Sequence, residues 1–144
     1  MSNNILAGPA LKPKHIYTDF PLYIFMLAIF LFSTISNKSL ISTFGVYDKV
    51  YHVSLFFILA YCFYRFLAFR NFDINVIMIS VVLGTTLYGL IDEVHQLFVL
   101  NRSFDLYDLL ADAIGALLAA LTGRFIFSVD QRLYTALLKL NAPK

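Results

Sequence analysis

Apolar positions fall in four long blocks, at residues 20–36, 50–69, 74–100 and 106–127, and polar positions collect between them. A helix needs about 20 mostly apolar residues to cross ~30 Å of hydrocarbon, so each block has the length of a membrane span or comes close to it. In the shortest, the first, Pro21 fits an opening helical turn and Asp19 fits the cap before it. The third is long enough to tilt or to project past the bilayer. Helices buried in a soluble bundle would each carry a polar stripe, and residues 20–32 carry none. The pattern predicts an all-α integral membrane protein, a bundle of about four transmembrane helices.

The flanks divide the chain further. Residues 1–19 read as a flexible arm in which Pro9 and Pro13 oppose a helix. Residues 20–128 read as the membrane domain and 129–144 as an amphipathic tail. In that tail Val129, Leu133, Ala136, Leu137 and Leu140 recur at helical spacing, with Arg132 and Lys139 placed to face anionic lipid. A continuation of the fourth helix fits the same residues. Lys12 and Lys14 precede the first block as in a secretory signal. However, Phe32-Ser33-Thr34-Ile35-Ser36 offers no small-x-small cleavage site, so the block reads as an uncleaved anchor.

Charge adds orientation. With four spans, both termini and the middle loop share a side, and that side holds Lys12, Lys14, Arg65, Arg70, Arg124, Arg132, Lys139 and Lys144. The other side holds Lys38, Lys49 and Arg102. Basic residues gather on the cytoplasmic side of short loops, so both termini are expected in the cytoplasm. Composition agrees with the class: 60% of residues are hydrophobic and 14% charged, where soluble domains run nearer ~45–50% and ~25%. A net charge of +2, with no basic stripe, gives no nucleic-acid partner. The single cysteine, Cys62, excludes an intramolecular disulfide.

The polar residues inside the blocks carry the candidate chemistry. The start of the second helix, the end of the third and the start of the fourth must meet at one membrane face. Asp48, Lys49 and His52 share a face of the second helix. Asp48 as a cap and Lys49 as an interfacial cation account for two of them, but not for His52, a turn (~5 Å) deeper. On the third helix Tyr88, Asp92, His95 and Gln96 span about 100° of arc, with Glu93 at its edge. Carboxylates inside a span are costly, and they are usually paired, protonated or beside water. On the fourth helix Asp105, Asp108, Asp112 and Gly115 lie within about 80°, and the same stripe continues through Ala119 and Gly123. Small residues at this spacing admit a close helix. Arg102 is the natural counter-charge for Asp108 or Glu93, or for an anionic ligand. No ligand set has a specific metal spacing, and the residues name no cofactor.

In order and spacing these residues resemble the VanZ-like membrane proteins, a group named for a protein associated with teicoplanin (glycopeptide) resistance. The resemblance rests on Asp48-Lys49-x-x-His52, then Asp92-Glu93-x-x-Gln96-x-Phe98-x-x-x-Arg102, then Asp108-x-x-x-Asp112-x-x-Gly115. It covers residues 47–123 and departs at Asp112, where the family commonly has Asn. It implies a multi-pass protein of the bacterial inner membrane with its polar motif near the outer boundary.

Two functions follow as expectations. In the first, Asp48, Lys49, His52, Asp92, Glu93, Gln96, Arg102, Asp108 and Asp112 surround a site for an anionic lipid or lipid-linked envelope precursor. Glu93 or Asp92 would be the general base, His52 the proton carrier, and Lys49 and Arg102 the headgroup contacts. In the second, the polar residues only fasten helices, and the stripe from Asp105 to Gly123 docks a membrane partner or a second copy. A transport pathway ranks below both, because the charges gather at one face instead of lining a crossing.

Overall fold

The computed structural model describes residues 15–34 and 46–140, which form four α-helices and, among the described residues, no strand. These are α1 (His15–Ser33), α2 (Val46–Ala68), α3 (Ile74–Gln96) and α4 (Leu106–Leu140). Three spans, Tyr47–Ala68, Ile74–Gln96 and Leu106–Ala136, are long and apolar enough to cross a membrane, and the apolar part of α1, Asp19–Ser33, is shorter. The expected membrane bundle is therefore present. Its outward faces are apolar, with Leu83, Leu117 and Phe125 among the exposed large side chains. Lipid is their solvent.

Several boundaries differ from the sequence pattern. α1 starts before Asp19, so Pro21 lies inside the helix and Asp19 does not cap it. The Asp19 carboxylate instead accepts two bonds from the Arg70 guanidinium, at 3.1 and 2.9 Å, and that guanidinium lies 3.6 Å from the centroid of the Phe66 ring. α3 stops at Gln96, not 100, because a turn follows that carries Asn101 in the left-handed region at φ 63°. α4 runs unbroken through 128 to Leu140, so no helix break separates a tail at 129. At ~1.5 Å per residue its 35 residues reach beyond one bilayer core. Outside the span's apolar middle, Arg65 and Asp130 tie α2 to α4 at 2.9 Å. The expected arm at 1–14 and the last residues, 141–144, lie outside the described residues.

Helix packing is tightest between α2 and α4. Hydrocarbon tails are as apolar as the side chains, so association depends on close fit and polar links instead of hydrophobic transfer. The small stripe of α4 supplies that fit. Ala116 and Ala119 are fully covered, and Gly115 and Gly123 lie against Val53 and Tyr64 of α2. The surface expected to face a partner is thus occupied by α2 of the same chain. This contact sets the depth at which the two polar helix starts meet.

Candidate functional site

Every sequence-predicted site residue except Arg102 belongs to one connected set of polar contacts. At the start of α2, the Lys49 ammonium donates to Asp48 at 3.3 Å, to Asp105 at 2.8 Å and also to Asp108. Lys49 therefore does not reach out to the interface as a free cation. Three carboxylates surround it. Asp48 lies within the first turn of α2 beside Lys49.

One turn deeper, His52 Nδ1 and Asp112 Oδ1 are 2.9 Å apart, and Asp112 is only 1% exposed. A carboxylate only accepts, so this contact holds the ring proton on Nδ1. Nε2 then faces Asp108 at 3.8 Å, too far for a hydrogen bond. The arrangement orients the imidazole with one nitrogen on a buried carboxylate and the other toward Asp108. Phe56 lies behind it, nearly parallel to the imidazole at a centroid distance of 6.3 Å.

The end of α3 does a different job. Glu93, 1% exposed, accepts from the Asp105 backbone N–H at 2.8 Å and from the Gln96 amide at 3.1 Å. Both oxygens are engaged, and one fastens the entry to α4. Asp105 caps that helix, with its carboxylate accepting from the Tyr107 N–H at 2.7 Å. Gln96 also donates to Asp92 at 3.2 Å, which leaves the other Asp92 oxygen buried with no hydrogen-bond partner among the described residues.

Arg102, in the α3–α4 turn, makes no ion pair among the described residues, and its Nε is buried without a hydrogen-bond partner. The expected pairing with Asp108 or Glu93 does not form. Lys49 takes the first and the Asp105 backbone the second. Two contacts had no clear sequence signal. Asp105 is a direct Lys49 partner, foreshadowed only by its i,i+3 register with Asp108. His95 turns to α1, where it meets Thr34 at 3.4 Å and lies 4.4 Å from the Phe30 ring.

Asp48, His52 and Asp108 bring ligand atoms within 4.8 Å of one another, a grouping that suits a cation. Lys49 Nζ lies among the same carboxylates and supplies that positive charge from the chain itself.

Lys49 beside it holds the Asp105 carboxyl below the ordinary range, and this predicts an acid dependence. A depressed folded pKa contributes stability that is complete above the unfolded value of ~3.9 and is lost as pH falls through the folded value. The gap in thermal midpoint between wild type and Asp105→Asn should be constant above about pH 4 and close in stronger acid. A gap that instead widens in acid would contradict the pairing.

Comparison with known proteins agrees with the residue pattern. The family model described as VanZ/LLP1 matches residues 7–127, most of the chain. Neither the curated proteins nor the solved structures contain a match. The match spans α2, α3, the α3–α4 turn and the opening turns of α4, which carry the contacts of Lys49, His52 and Glu93. The chain belongs to the VanZ/LLP1 family.

Proposed function

We propose that the polar end of the bundle receives the anionic head of a lipid or lipid-linked envelope precursor. Arg102 is the anion contact and His52 the group that moves a proton. The observation carrying this reading is the state of Arg102, whose guanidinium has a buried, unpartnered Nε three residues before Asp105, while the pairing of the carboxylate cluster falls to Lys49. A cation left over in this way is suited to an incoming phosphate or carboxylate, which its planar fork binds bidentately. His52, oriented by Asp112, is better prepared to accept a proton than Glu93, whose two oxygens are already engaged. Glu93 and Gln96 hold the entrance to α4 in position, and Lys49 balances Asp105 and Asp108.

In this reading the site faces the outer side of a bacterial inner membrane. The support is the distribution of Lys and Arg, eight on the side of the termini and three on the other. An envelope precursor exposed on that side is the kind of molecule on which a glycopeptide-resistance role would act. A second reading, an assembly module whose polar residues only fasten helices, is favoured by the Glu93 bond to the α4 entrance.

Native mass spectrometry separates the two. Wild type should retain an anionic lipid that Arg102→Ala loses, with both proteins folded. Identical lipid profiles would remove the ligand reading and leave the fastening role.

A further inference from the structure

A second feature lies below the polar site, an apolar groove of about 330 Å³ bounded by α1, α2 and α3. Its walls include Leu22 and Met26 of α1, Leu59 and Phe63 of α2, and Tyr88 and Ile91 of α3. We infer that this groove holds one hydrocarbon chain of the lipid whose head lies at the polar site, an inference that rests on the lipid reading above.

The size and chemistry of the groove select that occupant. Its volume is at the lower end of small-ligand pockets, ~300–1,000 Å³. Two turns of a partner helix, ~10 Å across and ~10 Å long, would need about 800 Å³ and do not fit. An extended peptide would leave its backbone groups without partners. Two wall residues carry hydroxyls: Tyr88 donates its own to the Met26 carbonyl at 2.6 Å, and that of Thr85 is buried without a hydrogen-bond partner among the described residues. A hydrocarbon chain has no polar group to satisfy.

The groove and the polar site share α2 and α3. From Gly84 to Ile91 the groove follows α3 for ~10 Å, and the next residue is the buried Asp92. Phe56 bridges the two regions, with its ring 6.3 Å from His52 and 6.4 Å from Tyr88. A lipid with its head at His52 would find the groove wall Leu59 two turns (~10 Å) deeper along the same helix. Bulk lipid tails are as apolar as the walls, so the groove holds a chain through fit and through the tether to the head.

The test is photolabelling in phosphatidylglycerol vesicles containing a trace of the same lipid with a diazirine midway along one chain. Adducts should form on the buried walls Leu22 and Leu59 as well as on outward residues such as Ile79 and Leu83. Leu59→Trp, which fills the groove, should abolish the Leu22 adduct. Ile91→Trp, at the exposed rim, should do so without disturbing the core, with helix content and elution checked for both. Adducts confined to outward residues, or wall labelling unchanged in both folded variants, would overturn the inference. Repeating the experiment with Arg102→Ala separates it from the head reading. Wall adducts that survive that substitution leave the groove standing and the Arg102 contact refuted.

Discussion

Gly115→Ala should destabilise the bundle by about 3 kcal/mol, and Gly115→Leu should not give a folded protein. A Cβ at Gly115 falls inside contact distance of the Val53 carbonyl oxygen and 2.9 Å from the Phe57 nitrogen. Both are main-chain atoms of α2, so neither can turn aside. Overpacking usually costs ~1–3 kcal/mol and a helical Gly-to-Ala change returns up to ~1, so the outcome depends on what the new atom meets. Gly84→Ala meets the far end of the Phe63 side chain, which has the groove to turn into, and should be close to neutral. Gly123→Ala meets the Tyr64 ring and should fall between. Thermal midpoints in one detergent rank the three. A Gly115→Ala protein as stable as wild type would show that α2 and α4 do not touch at this point. The same contact governs the chemistry, since Val53 follows His52 and Gly115 is one turn beyond Asp112. Any variant that folds with these helices apart should also lose the 2.9 Å His52–Asp112 contact.

The legible parts of this protein are those set by length and topology. The four helices follow from block length, and the convergence of Asp48, His52, Glu93 and Asp112 at one end follows from the order of the helices. Pairings were harder to read, because they depend on helix depth and rotation. From the sequence, Arg102 is the partner expected for Asp108, and Lys49 reads as an interfacial cation. The α2–α4 contact at Gly115 decides for Lys49 by bringing the first turns of the two helices together. The role of Glu93 was hidden for another reason. Its partner is the Asp105 backbone N–H, and a main-chain donor leaves no trace in residue type. The stripe of Gly115, Ala119 and Gly123 does announce a close helix, but identical spacing serves a partner chain or the chain's own α2. At α1, Asp19 and Pro21 read as a start signal only while Arg70, distant in sequence, is left out of view.

Lys49→Met should cost about 2 kcal/mol, and the loss should be largely recovered by removing one of the charges it leaves behind. Lys49 sits among Asp48, Asp105 and Asp108, of which Asp108 is the most enclosed. Breaking a buried pair by deleting one partner costs ~3–5 kcal/mol, since the remaining charge stays desolvated. The Lys49 side chain is 36% exposed, and solvent screening reduces that figure. Lys49→Arg keeps the charge and should stay near wild type. In the double variant Lys49→Met with Asp108→Leu, the uncompensated carboxylate is gone, so the coupling energy from the cycle should be ~1–2 kcal/mol. Lipid retention should follow a different pattern. Lys49 is committed to carboxylates and Arg102 is not, so Lys49→Met should keep a bound anionic lipid that Arg102→Ala releases. If Lys49→Met is fully stable yet loses the lipid, Lys49 is the headgroup contact and the division of labour between the two cations is reversed. A protein both destabilised and lipid-bound would instead assign Lys49 to the architecture and leave Arg102 as the cation that meets the ligand.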